Sequence, residues 1–465
     1  MEEVIRHNCG LCVTYSLHDA YKFVKCLQHR GREATGIAAI GSGRIDVIKW
    51  EEEVDTFDLE DLGKILNGDY QIFFAHVRYT TRGRKDKALE DAHPHTIGGT
   101  EIKNGRHTIV LDCEMAIVHN GQVSDEYLDG VDRSLLKTGC DSEAILHFYR
   151  AKGAREILNA IPNSYVLAIA DKSLNGVIVL RDGNGMKPGV LGLKGEKCCV
   201  ASEDTAILDN NGKVIEEIRP GSIYHLAPNG SYTREDVVEK EEKFCFFEVN
   251  YIMESKSTVK GRVVRVIRKS LGKALAREFN FSNANLVTYI PRCPEPAAGR
   301  YAPTLGLQFE PVFYKLRGTR SFLGSTEEER KRSIDENLYL LPKMMGALTG
   351  KKIVVIDDSL IRGNNSRRAI WLLKEVAGAE DITLLSYTPP VGIVGDNKIP
   401  RGCLYGVDMP PDDNFIARER SIKEISDIMG VKVGYLSKEG MFEAFEEFGL
   451  LQGSFCSYCI GGPKI

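Results

Sequence analysis

The sequence predicts an α+β domain followed by an α/β domain with a parallel sheet. In the first half, short apolar segments typical of strands follow one another with few helical patterns between them, which indicates a layered α+β domain. In the second half, strand and helix patterns alternate, which favours a parallel sheet with helices on its faces. A polar stretch at residues 228–232 and a charged run at residues 240–243 indicate the domain boundary.

The spacing of apolar residues predicts the individual elements. In the first half, the predicted strands cover residues 36–40, 72–76, 116–119, 165–170, 176–180 and 199–202. Helical spacing predicts helices there over residues 16–28 and 141–149. In the second half, the predicted strands cover residues 285–290, 309–313, 353–356 and 382–387, and the predicted helices cover residues 263–279 and 366–377.

Composition excludes several classes of protein. The chain has 465 residues, 43% of them hydrophobic, which is enough for about two to four domains. A net charge of −4 and the lack of a dense Lys/Arg block argue against binding to nucleic acid or a membrane surface. No apolar run approaches the roughly 20 residues of a membrane span, and residues 1–8 lack an apolar signal core. We therefore expect a cytoplasmic protein, whose twelve cysteines are not a disulfide framework.

The most informative segment is the run from Asp357 to Ser366, which follows an apolar strand. Backbone N–H groups at a helix N-terminus bind anions, and acids at the carboxyl end of a strand bind metal ions or sugar hydroxyls. Asp357 and Asp358 are such acids, and Ser366 begins the predicted helix. The run therefore predicts a sugar-phosphate site. An ordinary strand-to-helix turn is the alternative for this segment alone.

Cys9 is the candidate nucleophile of the first half. A cysteine before a strand is often a small buried residue, and Cys9 with Cys12 has the spacing of a redox or metal pair. A third interpretation is a nucleophile exposed by removal of residues 1–8, with its own α-amine as general base. An α-amine with a pKa of about 8 suits this task, because roughly a tenth or more of it is unprotonated at neutral pH.

Several short segments accompany Cys9. In chain order they are residues 27–31, 35–37, 76–81, 119–121 and 141–143. This ordered set resembles the glutamine amidotransferases with an N-terminal nucleophile, which implies an αββα fold for the first domain. The resemblance implies that Asn120 and Gly121 form the oxyanion hole. It also implies that Arg78 binds the α-carboxylate of glutamine and that Asp141 binds its α-ammonium group.

Further segments extend the resemblance over almost the whole chain. They are residues 181–188, 201–203, 219–221, 405–410 and 435–437. Together with the run that begins at Asp357, they resemble the amidophosphoribosyltransferase family. The resemblance implies a second domain of the type I phosphoribosyltransferase fold that binds phosphoribosyl pyrophosphate and Mg²⁺. The residues implied for that site are Asp357, Asp358 and Ser359 at the ribose and magnesium, and Gly363, Asn364, Asn365 and Ser366 at the 5-phosphate.

The implied reaction is glutamine-dependent transfer of ammonia to phosphoribosyl pyrophosphate, giving 5-phosphoribosylamine, glutamate and pyrophosphate. This is the first step of de novo purine synthesis. We expect a removable leader at residues 1–8, a glutaminase domain at residues 9–245 and a transferase domain at residues 246–465. The implied partners are the two substrates, purine nucleotide effectors and further copies of the chain in a homo-oligomer. Two alternatives stay open, a paralogue that passes ammonia to another phosphorylated acceptor and a non-catalytic nucleotide sensor.

Four cysteines form a candidate metal site. Cys456 and Cys459 have a Cys-x-x-Cys ligand spacing. Cys245 and Cys403 stand where one subgroup of the resembled family supplies two further ligands to a 4Fe–4S cluster. Four thiolates suit such a cluster or a tetrahedral zinc ion, and the resemblance favours the cluster. Coincidental buried thiols are the remaining interpretation.

The chain departs from the family pattern in both halves. The pyrophosphate loop carries Arg292 and Cys293, and prolines at 294 and 296 remove backbone donors from it. Asn364 and Asn365 replace two threonines, and the closing loop at residues 315–322 lacks an aromatic residue after its first arginine. In the glutaminase half, residues 93–95 read His-Pro-His in place of a Gln-Pro-Phe type segment. The altered pyrophosphate loop is the reason for keeping the paralogue as an alternative.

Overall fold

The computed structural model describes residues 9–79, 88–315, 338–395, 398–407 and 409–465. The leader at residues 1–8, Thr80 and Thr81, and the closing loop beyond Lys315 lie outside the described residues. The chain divides into two units. The first contains the chain up to Phe244 together with residues 405–407, and the second contains the rest from Cys245 onward.

Two antiparallel sheets form the centre of the first unit. Their strands are β1 (Gly10–Thr14), β2 (Ala34–Gly41), β3 (Arg44–Glu51), β4 (Tyr70–Arg78), β5 (His95–Ile97), β6 (Thr100–Asn104), β7 (His107–Leu111), β8 (Met115–Gln122), β9 (Ser164–Asp171), β10 (Val177–Arg181), β11 (Val190–Lys194), β12 (Lys197–Ala201), β13 (Lys213–Glu217), β14 (Ser222–Leu226) and β15 (Tyr232–Asp236). The nine-stranded sheet has the order β13-β11-β12-β1-β4-β2-β3-β7-β6, and the six-stranded sheet has the order β15-β14-β10-β9-β8-β5.

The inner faces of the two sheets share one apolar core. Leu11 and Val13 of β1 pack in the same buried cluster as Val118 of β8 and Val166 of β9. Because side chains alternate along a strand, Cys12 of β1 faces the other side and joins the cluster on the outer face. The pairing register of β1 therefore decides which of its side chains enter each of the two cores.

Helices cover the outer faces of both sheets. The helices Leu17–Cys26, Leu59–Ile65 and Asp204–Leu208 pack on the nine-stranded sheet. The helices Asp141–Lys152 and Ala154–Ala160 pack on the six-stranded sheet. These four layers confirm the predicted αββα fold.

A parallel sheet forms the centre of the second unit, as the alternating pattern predicted. Its order is β19 (Leu286–Tyr289), β22 (Lys352–Asp357), β23 (Asp381–Ser386) and β24 (Lys432–Tyr435), and all three neighbouring pairs are parallel. The shorter strands are β16 (Phe244–Cys245), β17 (Thr258–Val259), β18 (Arg262–Val263), β20 (Phe313–Lys315), β21 (Leu338–Leu340) and β25 (Phe455–Cys456). The helices are Val264–Glu278, Glu295–Thr304, Asn364–Trp371, Ile422–Met429 and Lys438–Glu446, with π-helical turns at Glu248–Ile252 and Leu372–Val376.

Two predicted elements of the second half are wrong in their bounds. Residues 309–313 are not a strand, because Phe309 forms only an isolated bridge to Val287 and β20 begins at Phe313. Pro311 lies between them and has no N–H group for a ladder. The helix predicted from residue 366 begins at Asn364 instead.

None of the helices in the described ranges is long and apolar enough to cross a membrane.

Candidate functional site

Cys9 lies at the entrance to β1, in the middle of the nine-stranded sheet. The pairing of Gly10 with Val77 brings Cys9 to the end of β4, next to Arg78. The backbone carbonyl of Cys9 accepts a 2.9 Å hydrogen bond from Nε of Arg30. Cys9 is fully buried, and the pairing of β1 with β4 and the hydrogen bond from Arg30 fix the position of its backbone.

Arg30 and Glu203 are positioning residues that the sequence did not single out. Nη1 of Arg30 donates to Oε1 of Glu203 at 2.6 Å, and both side chains are fully buried. His29 contacts the same carboxylate oxygen at 2.8 Å. Their sequence neighbourhoods belonged to the predicted set, but only the fold joins residues 173 positions apart in the chain.

The electrostatics around the Cys9 thiol combine burial with positive charge. Burial raises the pKa of Cys9 to about 12, and the backbone N–H of Tyr79 and the charges of Arg78, Arg30 and Lys187 oppose this rise. The thiol is therefore protonated at neutral pH. Attack on a carbonyl carbon needs a base that takes the proton as the S–C bond forms.

The side chain of Arg78 is 1% exposed. Its Nη2 donates to Oδ2 of Asp91 at 3.2 Å. Among the described residues, neither Nε nor Nη1 of Arg78 has a hydrogen-bond partner. Buried guanidinium donors of this kind suit a carboxylate ligand. Burial and the charge of Asp141 raise the pKa of Cys140, and the charge of Arg78 opposes this rise. The charge of Arg78 therefore reaches both Cys9 and the start of the helix Asp141–Lys152.

Asn120 and Gly121 lie at the end of β8 in the six-stranded sheet. Within the described ranges, neither Nδ2 nor Oδ1 of the fully buried Asn120 has a hydrogen-bond partner. A Cβ atom on Gly121 would lie 2.1 Å from the carbonyl oxygen of Ser164, so only glycine fits there. His76 of β4 contacts the carbonyl oxygen of His119 at 3.0 Å, which joins the two sheets at this end.

Asp141 is held beside the end of β8. Its Oδ2 accepts a hydrogen bond from the backbone of Val123 at 2.8 Å, and its Oδ1 accepts one from Ser142 at 3.2 Å. Nδ1 of His119 lies 3.7 Å from the same Oδ1. The fold thus places Asp141 next to the strand that carries Asn120. The first unit thereby collects all five residues that the sequence assigned to the glutaminase site.

In the second unit, Asp357 and Asp358 lie at the carboxyl end of β22, inside the parallel sheet. Oδ2 of Asp357 accepts a 2.8 Å hydrogen bond from Ser366, and its Oδ1 accepts one from the Asp358 backbone. Ser359 donates to Oδ1 of Asp358 at 2.8 Å. Gly363 adopts a left-handed conformation with φ +78° before the helix Asn364–Trp371. The helix N-terminus and the two acids therefore face one ligand-binding edge.

The surroundings of the two carboxyl groups disfavour their ionised forms. Burial raises the pKa of Asp357, and the neighbouring charge of Asp358 raises it further. Burial also raises the pKa of Asp358, against the opposing charges of Arg268 and Lys315. A cation bound here would stabilise the ionised pair.

The pyrophosphate loop leads directly into a helix. Pro294 is the N-cap residue of the helix Glu295–Thr304, and Pro296 lies in its first turn. First-turn N–H groups have no intrahelical acceptor, so proline costs the helix little there. Sγ of Cys293 donates to the carbonyl oxygen of Tyr251 at 3.2 Å. The two prolines therefore stand at the start of this helix.

The four cysteines of the candidate metal site all lie in the second unit. Cys245 and Cys456 are on the paired short strands β16 and β25. Burial raises the pKa of Cys459, and the sulfurs of Cys403, Cys456 and Cys245 raise it further. The four thiols are therefore neighbours.

Known proteins are similar to this chain over both units. The family model of the glutamine amidotransferase domain matches residues 69–248. The amidophosphoribosyltransferase of Methanothermobacter thermautotrophicus is 32% identical over 486 residues, which cover 99% of this chain and 95% of that protein. The chain belongs to the amidophosphoribosyltransferase family. The Bacillus subtilis member is 27% identical, over 98% of this chain and 93% of that protein.

Solved structures agree with this family. Glutamine phosphoribosylpyrophosphate amidotransferase of B. subtilis, complexed with ADP and GMP, superposes with a TM-score of 0.80 at 25% identity, over 98% of this chain and 96% of that one. A structure described as the allosteric regulatory enzyme of purine biosynthesis gives a TM-score of 0.81 at 25% identity, over 98% and 95%. The predicted family, fold and enzyme class are confirmed. The paralogue and the sensor are not favoured, because the similarity runs through both units.

The carboxyl pair predicts a pH-dependent stability. Since folding raises both pKa values, the folded state keeps protons that the unfolded chain releases above about pH 4. The pair's contribution to stability therefore falls as pH rises through the raised values. Asp358→Asn should increase the free energy of unfolding at pH 8 by on the order of 1 to 3 kcal/mol, and by little at pH 4. Urea unfolding without divalent cations measures this difference.

Asp381→Asn is the matched control. Asp381 begins the neighbouring strand β23, is 42% exposed and pairs with Lys432. Its replacement should change stability little at either pH, because surface ion pairs contribute about 1 kcal/mol or less. An equal gain from Asp358→Asn at both pH values would contradict the raised pKa values.

Proposed function

We propose that the chain transfers ammonia from glutamine to phosphoribosyl pyrophosphate, giving 5-phosphoribosylamine, glutamate and pyrophosphate. The observation that carries the proposal is the presence of two candidate sites on one chain. The first unit presents a buried cysteine beside Arg78, and the same unit holds Asn120, whose amide group has no hydrogen-bond partner among the described residues. The second unit presents a carboxyl pair at a helix N-terminus. The full-length similarity to amidophosphoribosyltransferases supports the same pairing of half-reactions.

In the first half-reaction, Sγ of Cys9 attacks the side-chain amide carbon of glutamine. The thiol proton passes to the α-amine of Cys9, which removal of residues 1–8 exposes, and then to the departing ammonia. Water hydrolyses the resulting thioester to glutamate and the free thiol. The raised pKa of Cys9 supports this assignment, because such a thiol needs an adjacent base.

The proposed substrate contacts use the groups that the fold leaves available. Nδ2 of Asn120 and the N–H group of Gly121 stabilise the oxyanion of the tetrahedral intermediate. The buried Nε and Nη1 of Arg78 bind the α-carboxylate of glutamine. The carboxylate of Asp141 binds its α-ammonium group.

Replacing the nucleophile should separate the two half-reactions. Cys9→Ala removes the atom that forms the thioester, so glutamine-dependent turnover should fall to background while ammonia-dependent turnover persists. Assays with glutamine and with ammonium chloride measure the two rates. Cys12→Ala is the matched control, because Cys12 is equally buried on the strand that follows Cys9 but packs in the outer core. It should keep both activities.

Full glutamine-dependent activity in Cys9→Ala would contradict the assignment of Cys9 as the nucleophile. Amino-terminal sequencing of the active protein supplies an independent check. A chain that begins at Cys9 has the required α-amine, whereas an active chain that keeps Met1 would refute the proposed base.

In the second half-reaction, ammonia nitrogen bonds to C1 of the ribose and the bond from C1 to pyrophosphate oxygen breaks. Asp357 and Asp358 contact the ribose hydroxyls and hold the cation that accompanies the substrate. The N–H groups from Asn364 to Ser366 bind the 5-phosphate. Mg²⁺ would neutralise the charge of the departing pyrophosphate. The raised pKa values of the two acids support a cation at this edge.

Removing one acid should therefore affect only the transferase half-reaction. Asp357→Ala should lower ammonia-dependent turnover about 100-fold or more, because charge stabilisation worth several kcal/mol is lost. Glutamine hydrolysis by the same protein should persist. Asp381→Ala, at the opposite end of the neighbouring strand, should behave as the parent chain. Unchanged ammonia-dependent turnover in Asp357→Ala would refute the proposed acceptor site.

For the four cysteines, we propose a 4Fe–4S cluster. The sulfurs of Cys403, Cys456 and Cys245 act together on the pKa of Cys459, which supports one shared metal site. Four thiolates suit a 4Fe–4S cluster or a tetrahedral zinc ion, and the resemblance to the iron–sulfur subgroup favours the cluster. The cluster would join Cys245 to the C-terminal Cys456 and Cys459.

The colour of the purified protein tests the cluster. Protein prepared without oxygen should be brown with broad visible absorbance, and Cys459→Ser should lose that absorbance and lower the stability of the second unit. Cys26→Ser, in the first unit, should keep the colour. A colourless parent protein that binds one zinc ion per chain more than Cys459→Ser would replace the cluster with a zinc site.

The proposed setting is a cytoplasmic homo-oligomer regulated by purine nucleotides. A reducing compartment keeps many thiols available for catalysis and metal binding, which suits a chain with twelve cysteines. The solved B. subtilis relative is complexed with ADP and GMP, which supports nucleotide effectors.

A further inference from the structure

A second group of metal-ligating side chains lies in the first unit, apart from the four cysteines. It consists of His93, His95 and Cys140. One ring nitrogen from each histidine and Sγ of the cysteine all lie within 4.8 Å of one another. All three side chains are buried, with 1%, 3% and 1% exposure. Such proximity suits a single ion, since tetrahedral zinc holds nitrogen and sulfur ligands about 3.3 to 3.6 Å apart.

His93 and His95 lie just before and at the start of a strand, and Cys140 lies just before a helix. His95 begins β5 and pairs with Ile117 of β8. Cys140 immediately precedes the helix Asp141–Lys152 and caps it. The rings of His93 and His95 meet edge to face, with their centroids 4.7 Å apart. The packing of β5 and the start of this helix therefore holds the three donors together.

The neighbours of His93 orient it for a cation. Its Nε2 lies 2.8 Å from Oγ of Ser142. Metal-binding histidines generally use their second nitrogen for such a contact, which fixes the ring and its tautomer. The donor set, two imidazoles and one thiolate, is typical of zinc and leaves a fourth position for water.

The group is coupled to the proposed glutamine site through two contacts. Oγ of Ser142 contacts His93, donates to Oδ1 of Asp141 at 3.2 Å and lies 2.9 Å from Nδ1 of His119. Sγ of Cys140 lies 3.7 Å from the same Oδ1 of Asp141. A divalent cation on Cys140 would therefore lie close to the carboxylate that is proposed to bind the α-ammonium of glutamine.

We propose that His93, His95 and Cys140 bind one zinc ion, and that the bound ion weakens glutamine binding at Asp141. The metal site stands on the donor geometry alone, whereas its effect on glutamine rests on the proposed function of Asp141. The ion adds positive charge beside a carboxylate whose partner is also positive, so it opposes the ammonium group. Ammonia-dependent turnover does not use this contact and is unaffected.

Metal stoichiometry tests the site without reference to activity. The full chain is dialysed against Zn²⁺ and its zinc content is measured by atomic emission. The parent chain should bind one zinc ion more than His95→Phe and than Cys140→Ala. The matched controls His107→Phe and Cys113→Ala, from the same unit, should bind as many ions as the parent chain. Equal zinc content in all five proteins would overturn the site.

Cobalt identifies the ligands independently. Co²⁺ bound in place of zinc should give a thiolate charge-transfer band that Cys140→Ala loses and Cys113→Ala keeps. If Cys140→Ala does not fold, His95→Phe must lower cobalt binding by one ion per chain. A band that persists in Cys140→Ala would show that another cysteine binds the ion and would overturn the site.

Kinetics test the coupling. Zn²⁺ should raise the KM for glutamine about tenfold in the parent chain, within the usual range of coupling between sites, and should not change it in His95→Phe. An unchanged KM with one zinc ion bound at this site would overturn the coupling. A chain that binds the ion but hydrolyses no glutamine would refute the proposed function and leave the metal site established.

Discussion

Contact between the inner faces of the two antiparallel sheets is the interaction on which the first unit depends. It buries Leu11 and Val13 of β1 against strands of the six-stranded sheet. A slip of β1 by one residue would turn both side chains out of that core, so the apolar contact fixes the register. The same register places Cys9 beside Arg78 at the end of β4. The chemical site is thus positioned by residues that take no part in its chemistry.

The two units stabilise their buried charged groups in different ways. In the first, Arg30 and Glu203 form a fully buried pair whose hydrogen bonds also reach the Cys9 carbonyl. Removing one partner of such a pair costs about 3 to 5 kcal/mol, so this arrangement is fixed before any ligand arrives. In the second, Asp357 and Asp358 have the same charge, and hydroxyl and backbone donors hold them in place. The Arg30–Glu203 pair balances its own charge, whereas a cation would stabilise the two ionised acids of the second unit.

The sequence predicted the apolar strands and the order of the chemical segments well. Strands such as β9 and β22 are continuous apolar runs, and their bounds agree with the structure within one or two residues. The predicted site residues were recognisable because their short segments resemble those of a known family, and most of them lie near the end of a strand or the start of a helix. Polar edge strands such as β6, whose residues are all exposed, carry no apolar signal and were missed.

Contacts between residues distant in the chain could not be predicted from the sequence, for a different reason. The pairing of Arg30 with Glu203 joins residues far apart in the chain, and no local pattern encodes the distance between them. The group of His93, His95 and Cys140 has the same origin, since Cys140 approaches the histidines only when its helix packs on the six-stranded sheet. Local spacing rules detect Cys456 and Cys459 because those ligands are near neighbours in sequence.

The departures from the family pattern occur largely where the backbone makes the proposed contacts. Asn364 and Asn365 are the first residues of their helix, and a helix N-terminus binds phosphate through N–H groups that asparagine retains. Ser366, whose hydroxyl holds Asp357, keeps the side chain that this contact needs. Pro296 occupies a first-turn position, where its missing N–H group costs the helix no hydrogen bond. The changes at Asn364 and Asn365 are therefore compatible with the proposed acceptor site, because the proposed contacts depend on the path of the backbone and on the two retained acids.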